Sequence, residues 1–392
     1  MPEHKLPEWT QDAGRVAIVH DWVTGMRGGE AILEAICELF PSADLFTLFQ
    51  TDYRMSPAIL EGRTVHASYL QRFMRFRRFR EGYRHLLPLF PHAISTLDLS
   101  RYDLVVSNSH CVAKGVNVRR DAVHISYVST PMRYIWDLFD DYFGPQSAGM
   151  FTRLAANAIR GPLQRWDLRT TPGVDYLIAN SSFVRERIRN FWKRDDSVVI
   201  HPFVDLRRFY PISKGESPSD YFLVVSAFAP NKRIDLAVSA FRELGLPLKI
   251  VGKGQEQSRL LALAGGARNI EFLGALSNEA MAEVYRRARA YIFPGLEDFG
   301  ITPLEAMASG RPVIGYGRGG LLDTVTPDTG ILFAEQTTES LKRAVLEFEA
   351  SAGKFDPRNC RARAEEFSRE IFLERFVDFV GGCLARGSKR SV

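Results

Sequence analysis

The sequence predicts an α/β protein of two doubly wound, parallel-sheet domains. Three observations carry that prediction. Short apolar runs alternate with amphipathic segments of helical period almost from end to end, which is the pattern of βαβ units. The alternation halts once, at HPFVDLRRFYPISKGESPSD (201–220), where proline, serine and charge replace it; such a break reads as an interdomain linker. The length, 392 residues, exceeds one ordinary domain and suits two or three.

Taken in order, VAIVHDW (16–22) reads as a buried strand and EAILEAICELF (30–40) as a helix. ADLFTLF (43–49), YDLVVSNS (102–109), HISYVS (124–129) and VDYLIAN (174–180) read as strands, the last followed by the helix SFVRERIRNFW (182–192). Beyond the break, YFLVVSAF, LKIVGKG, NIEFLG, AYIFPG, PVIGYG and TGILF read as strands. The helices KRIDLAVSAFREL, QEQSRLLALA and SNEAMAEVYRRA lie between them. The expected domains are 1–205, 206–370 and a terminal helix, 371–392, packing back toward the first domain. FSREIFLERFVDFVGGCLA (367–385) has the apolar spacing for that role. Ligands of such sheets sit outside the carboxyl ends of the strands, so two facing sheets would put a cleft between them.

Composition excludes several classes. The four cysteines, Cys37, Cys111, Cys360 and Cys383, form no C-x-x-C pair, against a zinc site or disulfide framework and in keeping with a reducing compartment. MPEHKLPEWTQDAGR lacks the apolar core of a signal peptide, and no stretch reaches membrane-spanning length. A net charge of +5 leans toward anionic partners.

The segment LEDFGITPLEAMASG (296–310) places Glu297 and Glu305 with seven residues between them. One reading is structural: Thr302 as N-cap, Pro303 at the first helical position, Glu305 completing a capping box, Gly310 ending the helix. The other is a ligand site, in which a strand end, a glycine turn at Gly300 and a helix N-terminus offer N–H groups to an anion. There, Glu305 would accept ribose hydroxyls and Glu297 those of a sugar.

EDFGITPLEAMASGRPVI resembles the E-x7-E segment of glycosyltransferase family 4. Those are retaining enzymes of GT-B fold, two Rossmann-like domains facing across a cleft, that use nucleotide sugars. HDWVTGMRGGEAILE (20–34), YRHLLPLFP (83–91), LSRYDLVVSNSHCVAKGV (99–116) and TPMRYIWD (130–137) are similar to its bacterial polysaccharide and O-antigen mannosyltransferase branch. FLGALSNEAMAEVY and GGLLDTV also fit. The resemblance covers about residues 15 to 385.

The resemblance assigns roles residue by residue. In MRGGE (26–30), Gly28 and Gly29 would let backbone approach the donor phosphate; this is not G-x-G-x-x-G, so no dinucleotide fingerprint is present. His110 would face the donor sugar, although a strand-end histidine is commonly structural. In VVSAFAPNKRID (224–235), Lys232 would neutralise the leaving diphosphate. The family's arginine there is replaced by Ala227, and Arg233 compensates only if its side chain turns inward. Gly252, in LKIVGKG, would give room beneath the base, or is an ordinary turn. Phe299, Gly300, Ile301 and Thr302 would line the donor. Arg133 and Trp136 are acceptor candidates with core packing an equal alternative; Lys114 either helps hold the acceptor or is solvated. Ser129 stands where the branch has histidine.

QRFMRFRRFREGYRHLLPLF (71–90) carries Arg72, Arg75, Arg77, Arg78, Arg80 and Arg84 against Glu81, with phenylalanines interleaved. That mixture suits an anionic membrane surface through residues 72–84, or is a solvated face over a packed core. No nucleic-acid fold pattern accompanies it.

The expectation is therefore a retaining hexosyltransferase acting in bacterial surface-polysaccharide synthesis, with GDP-mannose the first choice of donor and UDP- and dTDP-sugars open. The acceptor would be a glycan or polyprenyl-diphosphate-linked oligosaccharide. No cofactor, metal or nucleic acid is expected, and the location is cytoplasmic, peripheral at the inner face of the membrane. The alternative is a non-catalytic nucleotide-sugar-binding or scaffold protein, motivated by Ala227 and Ser129.

Overall fold

A computed structural model describes residues 13–26, 28–51, 55–144, 149–213 and 215–390. Arg27 of MRGGE and residues 1–12 of the leader reading lie outside them. The chain divides into two compact units, Met1–Ile200 with Leu373–Val392, and His201–Phe372.

The first unit holds a seven-stranded sheet of order β3-β2-β1-β4-β5-β6-β7. Its strands are Val16–His20 (β1), Asp44–Thr47 (β2), Val65–Ala67 (β3), Leu104–Ser109 (β4), Val123–Val128 (β5), Tyr176–Ala179 (β6) and Val198–Val199 (β7). The second holds six: Phe222–Val225 (β8), Leu248–Val251 (β9), Ile270–Gly274 (β10), Ala290–Phe293 (β11), Val313–Tyr316 (β12) and Gly330–Phe333 (β13). Their order is β10-β9-β8-β11-β12-β13, and the ladders of both sheets are parallel. Each sheet thus reverses its direction of winding once, between β1 and β4 and between β8 and β11. A doubly wound sheet opens a crevice at that reversal, because the loops leaving the two strands diverge to opposite faces.

Every apolar run read as a strand forms one. β3 and β7 were not anticipated: they are two- and three-residue edge strands without an apolar run long enough to announce them. Central strands are buried on both faces, as in β1, β4 and β5, which explains their continuous rather than alternating hydrophobicity. Covering helices present apolar faces to the sheet. In Ile234–Leu244, Ile234, Ala237, Val238 and Phe241 are buried; burying a phenylalanine of this kind contributes about 2–3 kcal/mol. Phe372, Phe376, Val380 and Cys383 are buried along the terminal helix Arg369–Arg386.

Residues 71–90 form two 3₁₀ stretches, Tyr69–Arg75 and Tyr83–Leu89, around the short helix Arg77–Glu81. The six arginines are exposed, while Met74, Tyr83, Leu86 and Leu87 enter the core. Phe73 and Phe79 pack at its edge, whereas Phe76 is 49% exposed. No described helix is long and apolar enough to cross a membrane.

Candidate active site

At the first switch point, β1 ends in His20 and runs into Asp21, and β4 runs into His110. Asp21 is fully buried. Its Oδ2 accepts from the N–H groups of His110 (2.7 Å) and Cys111 (3.0 Å), and its Oδ1 from those of Val112 (2.6 Å) and Ala113 (2.7 Å). His110 Nδ1 lies 3.0 Å from Oδ2. Burial alone would push this carboxyl up, but the charge and hydrogen bonds of His110 outweigh it and hold the group at about 2. An ionised carboxylate only accepts, so Nδ1 carries the hydrogen, and in the neutral ring Nε2 is the acceptor. The ring is about one-third exposed and stands edge-on to Trp22 at 4.5 Å. Sequence reasoning passed over Asp21, whose partners lie about ninety residues away; the available signal was an acidic residue at the carboxyl end of a buried strand.

Beside this pair, Glu30 Oε1 lies 3.8 Å from His20 Nε2. Burial raises the Glu30 carboxyl, yet its attraction to His20 and His110 brings it below its ordinary value. Gly28 and Gly29 open the helix Gly28–Leu39. The Gly29 carbonyl accepts from Asn108 Nδ2 at 2.8 Å, tying this turn to the end of β4. A Cβ at Gly29 would meet nothing within 4 Å, so the turn faces open space.

At the second switch point, the turn after β8 and the turn after β11 meet through an ion pair between Lys232 and Glu297, whose side chains are 22% and 13% exposed. Arg233 adopts φ 51°, an uncommon left-handed conformation for a side-chain-bearing residue. Its guanidinium grips Asp235 in two bonds of 3.1 and 3.2 Å. It is engaged on its own helix and does not replace the cation missing at Ala227, which is exposed. Gly252 turns at φ 139°, packed so closely on β8 that a Cβ would lie 1.9 Å from the Ser226 carbonyl.

The helix after β11 spans Ile301–Ala308 with Gly300 as its N-cap, at φ 87° and ψ 91°. This corrects the capping-box expectation. Gly300 reaches a conformation open only to glycine, so the helix starts before Thr302. Thr302 then lies in the first turn, and Pro303 also falls there, where its missing N–H costs nothing. Glu305 lies in the second turn, beyond reach of the N-cap. Burial pushes its carboxyl above the ordinary value, opposed by the Tyr285 hydroxyl and the charge of Arg208. Phe299 is 3% exposed and serves the core beneath the turn. Gly310, at φ 73°, follows the Ser309 C-cap and ends the helix as expected.

The structure leaves two acceptor candidates occupied elsewhere. Lys114 is fully buried, and its ammonium contacts the Asp167 carboxylate (3.1 Å), the Asp167 carbonyl (2.7 Å) and the Thr170 and Thr171 hydroxyls. It can touch no acceptor and instead closes the base of the 113–115 turn. Trp136 donates Nε1–H to Asp167 at 2.8 Å and stacks on Phe191, so it belongs to the same buried network. Arg133 is half-buried. Two cavities of about 510 and 520 Å³ lie elsewhere in the first unit; none of the residues lining them belongs to a switch point.

Known proteins agree with this architecture. Residues 209–367 match the family described as Glycosyl transferases group 1. The GDP-mannose-dependent monoacylated alpha-(1-6)-phosphatidylinositol monomannoside mannosyltransferase of Corynebacterium glutamicum is 28% identical, over 53% of this chain and 62% of that protein. The chain spans about half the length of the curated relatives it matches. Sucrose-phosphate synthase from Thermosynechococcus elongatus superimposes with a TM-score of 0.69 at 19% identity, covering 95% of this chain and 100% of that one. The Anabaena protein HepE, solved with UDP, gives 0.67 at 14%, covering 94% and 100%. The fold is that of the GT-B class, two Rossmann-like parallel-sheet units.

Proposed function

We propose that this chain is a retaining hexosyltransferase that takes its sugar from a nucleotide sugar, GDP-mannose first among them. The observation that carries the reading is the Lys232–Glu297 pair across the β8/β11 switch point, beside a helix N-terminus that begins at a glycine. A diphosphate seated there would receive the N–H groups of the first helical turn and draw Lys232 to itself. Glu297, released from Lys232, would then accept hydroxyls of the donor sugar.

Glu305 is proposed for the ribose. A carboxyl raised by burial gains from hydroxyl donors that satisfy its charged form. In the first unit, His110 is proposed for the reacting sugar, with Nε2 as an acceptor whose orientation Asp21 fixes. Charge on the leaving diphosphate grows as the glycosidic bond breaks, so Lys232 and the fixed N–H dipoles would stabilise the transition state more than the ground state, without a metal. The protein offers no dedicated nucleophile in this reading. The acceptor attacks from the face the diphosphate leaves, and the leaving phosphate oxygen takes its proton.

The acceptor is proposed to be a glycan or polyprenyl-diphosphate-linked oligosaccharide, in bacterial surface-polysaccharide synthesis. The exposed arginines at 72–84 would hold the enzyme at the anionic inner face of the cell membrane. Flotation with anionic vesicles should show binding that falls with salt and with Arg75, Arg77 and Arg78 changed to alanine; no binding at low salt sinks that part.

The test of the reaction is release of nucleoside diphosphate from GDP-, UDP-, dTDP- and ADP-sugars, with and without acceptor. Turnover of one donor, stimulated by acceptor, supports the reading. Tight nucleotide binding with neither transfer nor hydrolysis for any donor would favour the scaffold alternative that the missing cation at Ala227 motivates.

A further inference from the structure

We infer that His201 is a positioning residue for the Asp298–Gly300 turn, an inference that rests on the reading of that turn as the diphosphate site. Four chain segments meet there, all within the second unit. His201 is the unit's first residue. Its Nε2 lies 3.0 Å from Asp323 Oδ2, and its ring stacks on Phe299 with centroids 5.6 Å apart and planes 27° apart. Phe367 closes the cluster, 5.3 Å from the histidine ring and 6.0 Å from Phe299.

Asp323 is held from its other side. Arg363 donates to the Asp323 carbonyl at 2.6 Å and to the Thr324 carbonyl at 2.9 Å. The short helix Leu321–Thr324 that carries Asp323 starts from Gly320, whose N–H donates to the Glu297 carbonyl at 3.0 Å. A Cβ at Gly320 would stand 2.3 Å from Phe299 Cα and 2.4 Å from the Asp298 carbonyl. Residues 319–324 therefore lie directly against the turn. His201 clamps the assembly by bonding one layer and stacking on the other.

The side chains of His201 and Asp323 are 22% and 11% exposed, so the bond is shielded enough to order both. Asp323 accepts, so His201 Nε2 carries the hydrogen. His201 touches no reacting group in this reading; it acts through the position of Phe299 and hence of the N–H groups that follow.

The experiment compares His201→Ala, His201→Phe, which keeps the rings but loses the bond, and His201→Gln, whose amide can restore it. For His201→Ala, KM for the donor should rise about tenfold and kcat should fall as well, since the N–H groups of the turn hold the diphosphate in the ground state and more strongly in the transition state. His201→Gln should recover most of that loss, and His201→Phe should not. Backbone amide exchange at 297–301 should quicken in His201→Ala and His201→Phe while the helix Ile234–Leu244 stays protected. Wild-type KM and wild-type exchange at 297–301 in folded His201→Ala overturn the proposal. If His201→Ala does not fold, the contrast between His201→Gln and His201→Phe decides it. A wild-type chain that turns over no nucleotide sugar overturns the functional reading instead, and the exchange comparison alone then decides whether His201 positions the turn.

Discussion

The two switch points solve opposite problems with similar residues. Each brings an acidic and a basic side chain together from two strand ends. At β1/β4 the carboxylate is sealed, and Asp21 spends both oxygens on four N–H groups and a histidine. At β8/β11 the pair stays near the surface, Lys232 on Glu297, against a turn built around Gly300. The first is a network that fixes the His110 ring through Nδ1. The second pairs two charges that, in the proposed reading, a diphosphate would separate. A buried, satisfied carboxylate orients; an ion pair that keeps some exposure is proposed to bind by exchanging partners.

The sharpest way to break this comparison is at the exchanging pair. Lys232→Met should lower kcat/KM about a thousandfold, of the size expected when a contact to developing transition-state charge is lost; a loss below about tenfold removes Lys232 from the chemistry. Circular dichroism should show that the variant keeps its fold, because the pair lies near the surface.

Asp21→Asn probes the sealed network. Its amide would aim hydrogens at N–H groups that are themselves donors. Stability should fall by about 3–4 kcal/mol, in the range of a broken buried charge network, measured as a drop in the urea midpoint. A change under about 1 kcal/mol would mean that the carboxylate is not holding the 110–113 turn.

A second buried histidine of the same sheet sharpens the contrast by pH. Burial depresses His124 from its ordinary 6.5 to about 4. Above 6.5 the ring is neutral in both folded and unfolded chains, so its contribution is intact. As pH falls from 6.5 toward 4 the unfolded chain binds the proton first, and stability drops by about 3 kcal/mol. Urea midpoints between pH 7 and 4.5 should show a decline that is shallower in His124→Asn; identical slopes would contradict it.

The smallest expected effect is at Glu305→Gln, which should keep the fold, since the residue caps nothing, and weaken nucleotide binding about tenfold, about 1.4 kcal/mol. An unchanged Kd would remove Glu305 from the ribose.

Much of the scaffold was legible in the sequence because buried parallel strands leave continuous apolar runs. β3 and β7 were not, since edge strands this short borrow their hydrogen bonds from a neighbour and need no pattern of their own. The E-x7-E segment was legible as a glycine turn leading into a helix, but its capping was misread: T-P-L-E fits a capping box locally, and only the Gly300 conformation shows that the helix begins earlier. Asp21, Lys114 and His201 share one reason for being missed or misassigned. Asp21 depends on the 110–113 turn, Lys114 on Asp167 and His201 on Asp323, partners that no local window contains. A lysine in a short turn reads as solvated until the fold surrounds it.

The most direct test of the central claim is calorimetric titration of GDP into the wild-type chain, Lys232→Met and Glu297→Gln. If the β8/β11 pair is a diphosphate site held shut by its own charges, the wild type binds, Lys232→Met binds at least about tenfold more weakly, and Glu297→Gln binds as tightly as the wild type or tighter. Equal affinity in the wild type and Lys232→Met, or a wild type that binds none of GDP, UDP, dTDP and ADP, would contradict it.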